Sequence, residues 1–124
     1  MAGYCILAIE SNWRIRRLIR ANLEPLGFRV CEAVGQRHSL ACIREEMPDL
    51  ILLDLDLPDA EAIGLLRNLR RQTGEQVPIL VMSAEPLSQA VRQSGTVSGR
   101  LPKPFAAPTL LEQVQALVQD GASG

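Results

Sequence analysis

Residues 50–53 read Leu-Ile-Leu-Leu and are followed at once by Asp54. Four consecutive branched aliphatics leave no polar face at a period of two, so a strand built from them must be covered on both sides. That condition is met in a parallel sheet with helices above and below. Val77–Met82 repeats the unbroken pattern. Around these runs apolar residues recur at helical spacing: Ile15, Leu18, Ile19, Leu23 and Leu26 up to Gly27; Leu40, Ile43 and Met47 up to Pro48; Ile63, Leu66 and Leu69 through Arg71; and Leu110, Leu111, Val114, Leu117 and Val118. Cys5–Ile9 and Arg29–Ala33 read as two further strands and Gly99–Leu101 as a minimal edge strand, while residues 85–98 have room only for a short helix. Strand and helix alternating through short connections predict an α/β fold: a doubly wound, five-stranded parallel sheet with helices on both faces.

With 124 residues, 47% of them apolar and 22% charged, the chain has the material for one core. A single domain over residues 1–120 is expected, with 121–124 as a tail or the start of a linker. The formal charge of −1 argues against bulk electrostatic attraction to nucleic acid or an anionic membrane. No window is apolar enough to span a bilayer and the N-terminus lacks signal-peptide order, so a cytoplasmic protein is expected. Tyr4, Trp13, Phe28 and Phe105 are too few for a base-stacking platform. Cys5, Cys31 and Cys42 include no CxxC pair and sit in apolar stretches, as reduced thiols do. Lone His38 reads as a surface polar residue. Twelve of the thirteen basic residues are Arg, and Lys103 is the only lysine. Compositional bias is the plain explanation; the alternative is that position 103 requires a compact ammonium.

In a doubly wound sheet, ligands bind beyond the carboxyl ends of the strands. The residues there are Glu10 and Ser11, Asp54 and Asp56, Ser83 and Ala84, and Lys103. Acids, a hydroxyl and an ammonium on one rim make a phosphoryl-transfer kit: a carboxylate nucleophile, ligands for a divalent cation, and donors for phosphoryl oxygens. Over nearly its whole length the chain resembles the receiver domain of bacterial response regulators, through CILAIES with RRLIRANLEPLGFRV, PDLILLDLDLPDAEAIGLLRNLR, VPILVMSAE and LPKPF. The resemblance implies a flavodoxin-like sheet in the order 2-1-3-4-5 and a signalling module that is no enzyme beyond self-catalysed phosphoryl transfer to Asp54 and hydrolysis from it. It makes Asp54 the phosphate acceptor from a histidine kinase or phosphotransfer protein. Glu10, Asp54 and the backbone carbonyl of Asp56 become Mg²⁺ ligands, with the Asp56 side chain dispensable. Ser83, the Ala84 amide and Lys103 become the phosphate contacts, and Lys103–Pro104 a cis peptide.

Three departures qualify the match. Ser11 stands where receivers carry a second acid that ligates the metal. A carboxylate about 4 Å from a unit charge contributes about 4 kcal/mol at an effective dielectric near 20, before desolvation offsets part of it. Mg²⁺ binding is therefore expected to be weakened, unless Glu10 or the extra acid Asp56 reaches in. Arg100 occupies the output-switch position usually held by an aromatic ring, within a segment from Ser83 to Lys103 that is shorter than usual and stiffened by Pro102. Ala62 replaces a frequent glycine.

Two other readings compete. A degenerate receiver would act as a protein-interaction module that never meets phosphate, and Ser11 favours it. A phosphohydrolase of the haloacid dehalogenase type would use Asp54-Leu55-Asp56 as nucleophile and acid, Ser83 and Lys103 as its later motifs; but its DxD belongs on the first strand, and the only acids after Lys103 are Glu112 and Asp120. Arg14, Arg16, Arg17 and Arg20 form a basic patch on the first helix, with Glu24 spaced to pair with Arg20. It reads as a solvated face, or as the partner-docking face that this helix provides in receivers. Trp13 is either a shield for the acceptor pocket or a first-turn packing residue. The resemblance also allows an output domain after residue 124, or a homodimer through the face made by the fourth helix, fifth strand and fifth helix.

Overall fold

Two unbroken aliphatic runs demand cover on both faces, and they occupy neighbouring strands in the middle of the molecule. In the computed structural model, which describes residues 3–123 and side chains through 118, five strands alternate with five helices. The strands are β1 (Cys5–Ile9), β2 (Arg29–Ala33), β3 (Leu50–Asp54), β4 (Ile79–Ser83) and β5 (Gly99–Pro102). The helices are α1 (Trp13–Leu23), α2 (Gln36–Glu46), α3 (Asp59–Thr73), α4 (Gln89–Gln93) and α5 (Ala107–Ser123). All strands are parallel, in the order β2-β1-β3-β4-β5, as expected from the sequence.

Alternate residues of each central strand feed opposite cores. Ile6, Ala8, Leu50, Leu52, Leu80 and Met82 pack with Ile19 and Leu23 of α1 and Leu110, Val114 and Val118 of α5. Leu7, Ile9, Ile51, Leu53, Ile79 and Val81 pack with Ile43 of α2, Leu66 and Leu69 of α3 and Val91 of α4. Burying each large side chain contributes about 1.5–3 kcal/mol, so both runs are energetically committed to their places. Register is fixed too, because Asp54 lies level with Met82 and Met82 with Leu101. The carboxyl ends of β1, β3, β4 and β5 are thereby brought to one rim.

Some boundaries differ from the sequence reading. Met47 was expected on the buried face of the second helix, yet it is 78% exposed and caps α2 in the left-handed region at φ 49°. Pro48 forbids the next turn, and the chain reverses at Met47. β4 begins at Ile79 rather than Val77, because Pro78 has no N–H to give the ladder; its carbonyl still accepts from the Ile51 amide at 3.0 Å. α1 ends at Leu23, and Pro25 sits in a 3₁₀ turn at Glu24–Leu26 before Gly27, whose φ of 96° suits only glycine well. α3 continues to Thr73, two residues past the expected end. The last helix runs through Ser123, past the expected start of the tail at Gly121, and Gly124 lies outside the described residues. No helix among the described residues is long and apolar enough to cross a membrane.

The basic patch on α1 is not simply solvated. Arg16 Nε and Arg20 Nη2 each lie 2.7 Å from a Glu32 carboxylate oxygen on β2, and Arg20 also meets Glu24 at 2.8 Å. Half the patch therefore fastens α1 to the edge strand. Partial burial would raise the Glu32 pKa, but the two guanidiniums outweigh it and hold the carboxyl below its usual range. The three cysteines are free thiols, as expected; burial and the adjacent Cys31 push Cys5, fully enclosed at the start of β1, up to about 12.

Met47 yields a stability test. A left-handed residue other than glycine carries a cost of about 1–2 kcal/mol, part of which glycine returns as unfolded-chain entropy. Met47→Gly should raise the unfolding free energy by about 0.5–1 kcal/mol in urea denaturation with an unchanged m-value.

Candidate functional site

Each strand end delivers its side chain for a local reason. β1 closes with Glu10, whose amide donates to the Ala33 carbonyl of β2 at 3.3 Å and whose side chain is only 2% exposed. Glu10 Oε1 accepts from the Asn12 amide at 3.1 Å, and Asn12 in turn caps α1. The carboxylate is thus built into the β1–α1 turn. β3 ends on Asp54, and the Leu55 amide, donating to Met82 O at 2.9 Å, holds this end against β4. β4 ends on Ser83, itself buried, and β5 hands over to Lys103, whose amide donates to Ser83 O at 2.9 Å. The Lys103–Pro104 peptide is cis.

Lys103 Nζ is the centre of the site. It lies 3.0 Å from Glu10 Oε2, 3.0 Å from Asp54 Oδ1 and 3.5 Å from Asp56 Oδ2. Its side chain is 15% exposed, against 26% for Asp54 and 41% for Asp56. Burial alone would pull the ammonium pKa down, but the hydrogen bonds it donates to Glu10 and Asp54 outweigh that and raise it above the ordinary 10.5. A group whose folded pKa is raised contributes its stability below the unfolded value and loses it as pH climbs through the folded one. Lys103 is accordingly charged and stabilising throughout the neutral range.

The phosphate-contact candidates are also gathered here, and they are already engaged. Ser83 Oγ donates to Glu85 O at 2.7 Å and accepts from Arg100 Nε at 2.8 Å. Arg100 adds bonds to the carbonyls of Ser83 at 3.1 Å and Ala84 at 3.4 Å. The arginine at the output-switch position therefore grips the end of β4. The Ala84 amide donates to Asp56 Oδ1 at 3.1 Å, and the Asp56 amide donates to Asp54 Oδ1 at 3.2 Å. The Asp56 side chain, which on the resemblance need not matter, bonds the Ala84 amide and lies 3.5 Å from Lys103 Nζ.

Ser11 is exposed and lines a cleft of about 750 Å³ with Glu10, Asp54, Gly35 and Gly64, between α2, α3 and the strand ends. Its carbonyl accepts from Arg16 Nη1 at 3.0 Å, and Glu10 O accepts from the same nitrogen at 2.7 Å. Arg16 thus braces the β1–α1 turn, a role the sequence does not signal beyond its place in a basic helix. Trp13 is 55% exposed, with the Arg14 guanidinium 5.3 Å from its ring centroid. Ala62 is buried, its amide bonded to Pro58 O at 2.9 Å in the first turn of α3. His38 is exposed as expected, its Nδ1 accepting from the Val34 amide at 3.3 Å.

The donor set suits a hard divalent cation. Glu10 and Asp54 bring carboxylate oxygens of the kind Mg²⁺ takes to adjoining strand ends, where the Lys103 ammonium holds both.

Replacing Lys103 with methionine would leave three carboxylates facing one another without a counter-ion. Lys103→Met should lower stability by about 1–3 kcal/mol at pH 7, less than a fully enclosed pair because Asp54 and Asp56 reach water. The gap between variant and wild type should hold to about pH 10 and close above it, as the wild-type ammonium discharges. Denaturation series across that range measure it.

Residues 6–115 match a family model described as the response regulator receiver domain. The chain is 34% identical over 117 residues to the response regulator MprA of Mycolicibacterium vanbaalenii, covering 92% of this chain and 50% of the relative. It is 34% identical to the KDP operon transcriptional regulatory protein KdpE of Escherichia coli, covering 92% of this chain and 51% of that one. It thus spans about half the length of these curated relatives. The structure of Vibrio cholerae chemotaxis protein CheY4 superposes with a TM-score of 0.81 at 28% identity, over 94% of this chain and 99% of that one. Family match, sheet order and strand-end site agree, and the chain belongs to the receiver domains of response regulators, the signalling modules of two-component systems.

Proposed function

We propose that this chain is a working phosphoacceptor, phosphorylated on Asp54 by a histidine kinase or phosphotransfer partner, with Mg²⁺ affinity reduced because Ser11 replaces an acid. The observation that carries the reading is the Lys103 ammonium, 3.0 Å from Asp54 Oδ1 at the carboxyl rim. An Asp54 carboxylate oxygen attacks the phosphorus of a phosphohistidine, the new O–P bond forms as the N–P bond breaks, and the imidazole leaves with the electron pair. Lys103, the Ser83 hydroxyl and the Ala84 amide then meet the phosphoryl oxygens. Glu10, Asp54 and the Asp56 backbone carbonyl would hold Mg²⁺, which supplies neutralising charge for the transferring group. Any self-catalysed turnover of the phosphoryl group would use the same residues.

The partner surface we assign is the exposed side of α1, where Trp13, Arg14, Arg17 and Leu18 remain after Arg16 and Arg20 are spent on Glu32. Output would pass through α4, β5 and α5, to a following domain or a second copy, because Arg100 on β5 holds Ser83 directly. The family and these contacts fit a cytoplasmic signalling role without direct nucleic-acid binding by this domain. A phosphate-independent interaction module is the second reading, favoured by Ser11. Membership in the receiver family removes the ground for a dehalogenase-type hydrolase, and Glu112 lies exposed on α5.

Incubation with Mg²⁺ and acetyl phosphate should add one phosphoryl mass to the wild type and none to Asp54→Asn; no label on wild type or on Ser11→Asp would favour the interaction module. Ser11→Asp should tighten Mg²⁺ binding by on the order of a hundredfold in calorimetric titration. Micromolar affinity in the wild type would contradict the weakening. Lys103→Arg should keep the charge yet impair phosphoryl loading, since a guanidinium is larger and planar; unimpaired loading would return the single lysine to compositional chance.

A further inference from the structure

The three donors assigned to the phosphoryl group are all committed before any phosphoryl group arrives. Two of them converge on a single side chain: the Ala84 amide lies 3.1 Å from Asp56 Oδ1 and Lys103 Nζ lies 3.5 Å from Asp56 Oδ2. One Asp56 oxygen takes the Ala84 amide, and the other lies at ion-pair distance from the ammonium, which hydrogen-bonds Glu10 and Asp54. The third donor, Ser83 Oγ, is turned toward Glu85 O and capped by Arg100. Glu10, Asp54 and Asp56 face Lys103, with Arg100 as a second cation beside Ser83, so these groups together carry a formal charge of −1. An incoming anion therefore meets donors that are already engaged and an excess of one negative charge.

We propose that the Asp56 carboxylate is the resident anion of the phosphoryl subsite, an internal gate that must swing out before Asp54 can carry a phosphoryl group. The proposal rests on the acceptor reading above and concerns how that site is regulated. The geometry allows the motion. Asp56 is the most exposed of the three acids, at 41%, so its carboxylate can be rehydrated in the open position at small cost. Glu10, at 2%, has no such freedom. The Asp56 backbone stays tied by its amide bond to Asp54 Oδ1, so opening is a side-chain rotation about a fixed main chain. Anything that draws the carboxylate away from Ala84 and Lys103, a cation in the pocket or a partner's basic side chain, would open the site and favour phosphoryl binding.

The gate has a readout that needs no phosphorylation. In the metal-free protein, the Ala84 amide proton should move upfield in Asp56→Ala, where its acceptor is gone, and less in Asp56→Asn, which keeps an oxygen acceptor without the charge. An Ala84 resonance unchanged in both variants overturns the proposal. The second measurement is beryllofluoride binding at a fixed, high Mg²⁺ concentration, followed by fluorine NMR. Asp56→Ala should bind this phosphoryl mimic about tenfold more tightly than wild type, with Asp56→Asn in the same direction. Equal or weaker binding in Asp56→Ala overturns the gate while leaving Asp54 as acceptor. No beryllofluoride binding in wild type, Asp56→Ala or Ser11→Asp would instead overturn the acceptor reading, and the gate with it.

Discussion

One ammonium among three carboxylates organises this molecule's functional end. Glu10 is enclosed and bound into the β1–α1 turn, so its charge needs a partner that does not drift, and Lys103 supplies it from the far side of the sequence. The same nitrogen meets Asp54 and Asp56 from the neighbouring strand end. Without it, β1 and β3 would end in mutually repelling acids at a partly enclosed rim, where charges interact more strongly than in water. Several of the arginines elsewhere do structural work that suits a planar fork: Arg16 spans Glu32 and two carbonyls, and Arg70 bonds the carbonyls of Gly74, Val77 and Thr96. The single lysine stands at the place where an ammonium sits between three acids.

The departures from the receiver pattern form a connected set. Loss of an acid at Ser11 and gain of one at Asp56 leave the number of carboxylates near the pocket unchanged but move one from the metal side toward the phosphoryl donors. Arg100 stands where a ring is usual, and its guanidinium holds Ser83 Oγ and two adjacent carbonyls. The Asp56 and Arg100 contacts both lie around the strand ends.

The sheet and its two cores were legible because their cause is local and repetitive. Leu50–Leu53 and Val77–Met82 announce strands covered on both faces, and helical spacing marks the covering elements. Candidate site residues could be read as well, because the carboxyl ends of parallel strands converge and the side chains just past them share a rim. What escaped was decided by single main-chain groups or distant partners. Pro78 removes an amide from the start of β4, and Met47 closes α2 with a positive φ that its apolar side chain does not suggest. Arg16 and Arg20 find Glu32 across the gap between α1 and β2, a pairing that spacing along the chain does not encode.

By itself, the sequence determined the order of elements, the parallel sheet and the set of polar residues delivered to one end of it, since burial demand and strand periodicity are carried by neighbouring residues. Tertiary structure alone decided how those polar groups divide among themselves. Whether the Asp56 side chain points to solvent or to Ala84 and Lys103, and whether Arg100 lies free or on Ser83, depends on distances of about 3 Å between strand ends far apart in the chain. Only the folded sheet brings those ends within reach.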